Sequence, residues 1–110
     1  MANKYINKAF DLSTTGATTI YTVPAETVAI VKAVQAYNDT ASAVTVTMSF
    51  TDASASTTYN IGYATSSTVQ QFSLLSDSLL VLEESDILKL TASVGTRVTG
   101  VASILEQDRT

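Results

Sequence analysis

Residues 44–51 read Val-Thr-Val-Thr-Met-Ser-Phe-Thr, an apolar/polar alternation without a break. Successive side chains of a strand point to opposite faces. This run therefore turns Val44, Val46, Met48 and Phe50 to a core, and Thr45, Thr47, Ser49 and Thr51 to water. A helix would scatter the same residues around its whole surface. The rest of the chain follows suit: short apolar or alternating runs recur between turn residues, at the spacing of an antiparallel sandwich or barrel. Charged residues are only 15% of the 110 while hydrophobic residues reach 45%, so Ser and Thr must supply the surface polarity. Threonine fits that task, because its branched Cβ suits the pleat while its hydroxyl meets water. The expectation is an all-β fold: one antiparallel, jelly-roll-like β-sandwich domain over residues 1–110 with about eight strands, residues 1–8 being a candidate N-terminal arm.

The remaining strands are expected over 4–12, 18–23, 28–38, 57–64, 68–75, 79–82, 87–93 and 97–106. Pro24, the only proline, has no N–H for a ladder and ends the strand before it; with Ala25 and Glu26 it leads into the next. Asn38 to Ser42 reads as a hairpin connection, and its Asn-Asp-Thr sequon as a turn rather than a glycan site. Ala64 to Ser67 reads as a turn, and Asp52 to Ser56 as an exposed loop. Tyr59 and Tyr63 are expected on one strand face. In the run from Val28 to Tyr37 neither face is wholly apolar, because Lys32 falls beside Val28, Ile30 and Val34. Either a bulge shifts the register near Lys32, or its stem lies over apolar neighbours with the amine in water.

The chemistry of the side chains excludes more than it suggests. With no His and no Cys, neither a Ser-His-Asp triad nor a Cys-His pair can form, and zinc lacks its usual ligands. The four glycines make no phosphate-cradling loop. Glu83, Glu84 and Asp86 gather three acids in four positions without the spacing of a calcium loop, so they read as a solvated acidic turn rather than a cation site. A net charge of −4 with six Lys and Arg gives phosphate-backbone binding little footing. No apolar stretch approaches the length of a membrane span, and the opening residues lack the apolar segment of a secretory leader. The expectations are no enzyme, no cofactor, no nucleic acid and no membrane.

The closing run does carry a signal. Val98, Gly100, Ala102 and Ile104 alternate with Thr99, Val101, Ser103 and Leu105, so both faces are substantially apolar where a monomer would show one polar face. Either loops of the chain cover the second face or another subunit does. On the second reading, Val98, Val101, Ile104 and Leu105, with Val31 and Tyr37 of the earlier strand, are the interface candidates.

The runs LSTTGATTIYTVPAETVAIVKAVQAYNDTASAVTVTMSFTD, LLVLEESDILKLTAS and RVTGVASILE resemble small virion structural proteins of tailed bacteriophages, notably marine ones infecting cyanobacteria. The likeness covers nearly the whole chain, with 53–78 the least similar part. Many of those proteins have Gly in place of Glu26 and Ala-Gly-Asp in place of Glu84-Ser85-Asp86. The resemblance implies a component of the virion, assembled in the host cytoplasm. The leading expectation is a capsid decoration (cement) protein, a homo-oligomer and foremost a trimer, bound to the major capsid protein. The alternatives are a neck, collar, tail or fibre-attachment component, or a carbohydrate-binding module, against which the lack of Trp and the few aromatics argue.

Overall fold

In the computed structural model, which describes residues 3–12, 14–39, 43–75, 79–93 and 98–108, nine antiparallel strands form two facing sheets. They are β1 (Asn3–Leu12), β2 (Thr18–Thr22), β3 (Thr27–Asn38), β4 (Val44–Asp52), β5 (Thr57–Ser66), β6 (Gln70–Leu75), β7 (Leu80–Leu82), β8 (Ile87–Ala92) and β9 (Val98–Asp108). One sheet runs β1-β9-β3-β6, with β7 also on β3; the other runs β2-β8-β4-β5. β7 pairs with Ala29–Val31 and β6 with Val34–Asn38, so the two occupy one edge of β3 in succession. Counted as one interrupted strand, they give eight strands in the order 1-8-3-6 facing 2-7-4-5, the paired Greek keys of a jelly roll.

The alternation of residues 44–51 is what lets β4 serve as a central strand. Val44, Val46 and Met48 are buried, while the threonines line the outer face and pair across it. Thr45 and Thr65 hydroxyls lie 3.0 Å apart, and those of Thr51 and Thr58 2.7 Å apart, contacts that favour this register. Opposite them, Leu12, Val31, Val34, Leu82, Val98 and Ile104 close the core with Leu88 and Leu90. Each such side chain contributes about 1.5–3 kcal/mol by leaving water.

Two connections differ from the expected hairpins and tips. β3 and β4 lie in different sheets, so the segment after Asn38 is a crossing, not a hairpin; Thr40 to Ser42 lie outside the described residues. Asn38 itself is buried, and its Nδ2 donates to the Thr68 carbonyl (3.1 Å) and to Ser66 Oγ (3.4 Å). It thereby fastens the crossing from β5 to β6. That crossing turns at Ser67–Val69, beyond the expected turn, because β5 stays paired with β4 through Ser66. Asn3 to Lys8, the described part of the candidate N-terminal arm, form the outer half of β1, as the strand expected over 4–12 implies, and pair with Ala102–Gln107 of β9.

Bulges set the faces of β3 and β5, and the one given as an alternative near Lys32 is present. The β3–β9 register shifts between Val31 and Ala33, so Lys32 is an extra residue pointing to solvent. Ala29 and Val31 before it, and Val34 and Ala36 after it, then share the core face. In β5 the register shifts opposite Met48 and Ser49, leaving Ile61 extra. Tyr59 consequently pairs with Phe50, their rings 5.7 Å apart, whereas Tyr63 pairs with Thr47 on the outer face. The two tyrosines are on opposite faces, and Ser49 is buried where alternation alone puts it in water.

Pro24 stands at the corner where the chain leaves one sheet for the other. Val23 exchanges two backbone bonds with the β7–β8 turn, its N–H to Asp86 O (2.9 Å) and its carbonyl from Ser85 N–H (3.1 Å). Glu26 (φ 56°) and Ser85 (φ 70°) adopt the left-handed conformation that disfavours side chains bearing a Cβ. Replacing Glu26 or Ser85 by Gly is expected to stabilise the fold by about 0.5–1 kcal/mol, read as a higher urea midpoint at unchanged slope.

Gly100 shows the opposite constraint. A Cβ there would lie 2.1 Å from the Gln35 carbonyl oxygen, 2.5 Å from Phe10 Cζ and 3.0 Å from Ala36 Cα. Two of these are backbone atoms of the central strand and cannot step aside. Gly100→Ala is expected to destabilise by about 3 kcal/mol or more, seen in the same unfolding titration.

Candidate functional site: the outer face of the β1-β9-β3 sheet

Register decides which side chains of this sheet meet solvent. Tyr5 lies opposite Leu105, Leu105 opposite Ile30, and Ile30 opposite Val81. One row of apolar side chains thus crosses β1, β9, β3 and β7 on the outer face. Ile30 and Leu105 are half-buried by their neighbours, whereas Tyr5 is 74% and Val81 58% exposed. Leu79, just before β7, is 63% exposed. Lys32, pushed outward by the bulge, holds its Nζ 5.8 Å from the centre of the Tyr5 ring, an attraction that reaches over β9.

The six interface candidates divide between the two faces. Tyr37, Val101 and Leu105 point outward. Val31, Val98 and Ile104 point inward and are no more than 1% exposed, so they belong to the core and are closed to another chain. The Lys32 bulge is the reason for Val31, and the pairing of Val98 and Ile104 with Leu12 and Ile6 for the other two. Sequence reading missed Tyr5, because its neighbour Leu105 is set by register across β1 and β9, and Val81, because a three-residue strand has too little pattern to assign a face. Ile30 was legible only once the bulge had fixed the phase of β3.

Farther along the same face lies a groove of about 360 Å³. Its walls are Gln35 and Tyr37 of β3, Gln71 of β6 and Val101 of β9, and its floor is the backbone at Ala36 and Gly100. Gln71 Nε2 donates to Gln35 Oε1 at 3.4 Å, and Tyr37 is 41% exposed.

The three clustered acids do not converge. Asp86 is buried, its two oxygens accepting from Ala53 N–H (3.0 Å) and Glu83 N–H (2.9 Å). Glu84 accepts from the backbone N–H of Glu26 at 2.6 Å. The Asp86 and Glu84 carboxylates tie turns together, and among the described residues no group of three or more His, Cys, Asp or Glu is placed to hold a metal. Strand direction nevertheless gathers Glu26, Asp52, Glu83, Glu84, Asp86, Glu106 and Asp108 at one end of the sandwich. That end also holds Lys4, the one base there among the described residues. Two such ends repel each other, so copies of the chain meeting there would be held apart.

At this end Tyr21 crosses from one sheet to the other, its hydroxyl donating to Glu106 Oε2 at 2.5 Å. Burial, then the hydrogen bond to Glu106 and its charge, hold the Tyr21 phenol well above the usual tyrosine range. Folding therefore favours the protonated phenol. Its contribution is complete below the unfolded value near 10 and is lost as pH rises beyond it. The urea midpoint of the unmodified protein is expected to fall more steeply between pH 9 and 11 (about the ordinary tyrosine range) than that of Tyr21→Phe.

No family model matches the chain, and no curated protein matches it in sequence. Solved structures do share its fold. A Bacillus endospore appendage protein, described as belonging to a family of disulfide-linked pili, superposes with a TM-score of 0.54 at 10% identity, over 99% of this chain and 88% of its own. The Eiger TNF of S. frugiperda gives 0.51 at 13% identity, over 84% of this chain and 66% of its own. A pentameric capsid protein from metagenomic phage sequences gives 0.47 at 22%, over 87% and 66% respectively. The first two likenesses establish a recurrent β-sandwich and concern fold alone.

Proposed function

We propose that the chain is a structural subunit of a phage particle, a capsid decoration protein that associates with copies of itself and with the head shell. The observation that carries this reading is the Tyr5–Leu105–Ile30–Val81 row, an apolar band left in water on a sheet whose other face is already a complete core. Exposed apolar bands of this kind mark surfaces that another protein covers. The virion context comes from the sequence resemblance.

The remaining surfaces favour this face over others. The acidic end repels its own kind, and β1 carries Lys4 and Lys8, charges that discourage further strands from adding to its free edge. Association is therefore lateral or face-to-face, through apolar contacts that are individually weak and gain strength from many copies on one shell. Unlike the disulfide-linked appendage pili, this chain has no cysteine, so copies of it are not joined to one another by disulfides.

Leu105→Asp and Val81→Asp test the interface directly. Both side chains point outward, so each variant should keep the far-UV spectrum of the parent while self-association, measured by sedimentation, weakens by about tenfold or more. Unchanged association would remove this face from the interface, and a parent that stays monomeric at every concentration would end the oligomer reading. Cryo-EM of intact particles decides location. Density on the outer head shell is expected; density confined to a ring at the neck or to the tail would overturn the decoration role.

A further inference from the structure

The geometry points to the groove between β9, β3 and β6 as a binding site for a neutral saccharide. It lies about 15 Å along the strands from the apolar row, given the register and the rise per residue of a strand, so the two can act separately. Its chemistry is narrow. None of the lining residues Gln35, Ala36, Tyr37, Gln71, Gly100 and Val101 bears a charge, which leaves nothing to neutralise a phosphate, a carboxylate or an ammonium group.

What the groove does offer is hydrogen bonding beside an apolar wall. Once Gln71 Nε2 has donated to Gln35 Oε1, the Gln35 amide keeps its N–H donors and Gln71 keeps its carbonyl acceptor. Among the described residues neither group has another partner, and the Tyr37 hydroxyl has none. Donors and acceptors thus alternate within a few ångströms, the arrangement that adjacent sugar hydroxyls satisfy, each being both donor and acceptor. Tyr37 adds an exposed ring and Val101 an aliphatic surface, against which the C–H face of a pyranose can rest. The floor is backbone because Gly100 has no side chain and Ala36 points to the core. At about 360 Å³ the depression is at the lower end of small-ligand sites. With one aromatic and a few neutral hydrogen bonds, binding should be weak, with Kd on the order of 1 mM. Repetition of the subunit on a particle would raise the avidity well above that.

The experiment is a titration of the isotope-labelled full chain with maltose, cellobiose, lactose and chitobiose, followed by ¹H–¹⁵N NMR. At least one sugar should give saturable shifts concentrated at residues 35–37, 70–72 and 99–101. Tyr37→Ala and Gln71→Ala should each raise Kd by about tenfold or more, while Tyr63→Ala, at a more exposed tyrosine on the other sheet, should leave it unchanged. Tyr37→Phe separates the ring from the hydroxyl and should fall between wild type and Tyr37→Ala. Absence of saturable shifts with all four sugars would overturn the proposal. So would shifts at Tyr37 that follow protein concentration instead of sugar, because they would make a second copy the occupant. Leu105→Asp, which tests the assembly interface, should leave sugar binding intact, so the two proposals fail independently.

Discussion

The extra residue in β3 at Lys32 is the constraint on which the rest of the five-stranded sheet depends. β3 is the strand to which β9, β6 and β7 all pair, and its side chains alternate strictly between faces on either side of that point. Without the shift, Val34 and Ala36 would turn outward and leave the core over β6 unfilled, while Gln35 and Tyr37 would turn in. One inserted residue reconciles two apolar segments that are out of phase in sequence. It also places a charged side chain outward, where its ammonium rests over Tyr5. The bulge thus completes the core and shapes the outer face in one step.

The second constraint is the closeness of β9 to β3 at Gly100. Sheet pairing brings the Ala36 backbone and the Phe10 ring onto a glycine, and Phe10 covers the space that a side chain would have taken. The same approach makes the outer side of that contact shallow and backbone-floored. Core packing and groove are therefore two faces of one local arrangement, and the groove cannot be deepened or filled by substitution at Gly100 without disturbing the sheet.

How far this could be read from sequence follows from what period-2 alternation carries. It marks strands and their exposed faces while the phase is unbroken, which is why 44–51 was legible almost residue by residue and the all-β sandwich with it. A bulge resets the phase without a residue of its own type: Lys32 is only a conspicuous polar side chain, and Ile61 is not conspicuous at all. Val31 was for that reason assigned to an interface and Tyr59 to the face of Tyr63. Strand connection was equally hidden. Asn38-Asp39 suits a turn wherever it leads, and only the buried amide of Asn38 on Thr68 reveals a crossing between sheets. The outer row was legible in part, since β9 showed two apolar faces, but its neighbours across the sheet are set by register and not by local composition.

Placement along one face has a consequence for how such a subunit would work. A sheet face used wholly for assembly is lost to ligands, and one used wholly for ligands cannot hold subunits together. Here the apolar row lies toward the acidic end, across β1, β9, β3 and β7, whereas the neutral groove lies toward the opposite end, where β6 replaces β7 on the edge of β3. The interruption between β6 and β7 divides the face into an apolar part that a protein can cover and an uncharged, hydrogen-bonding part that can stay open. Because acidic ends repel, neighbouring copies are steered away from contacts through that end, and the row rather than the groove is the surface at which burial of apolar area gives the larger return. An assembly held through the row would leave Tyr37, Gln35 and Gln71 facing solvent in every copy.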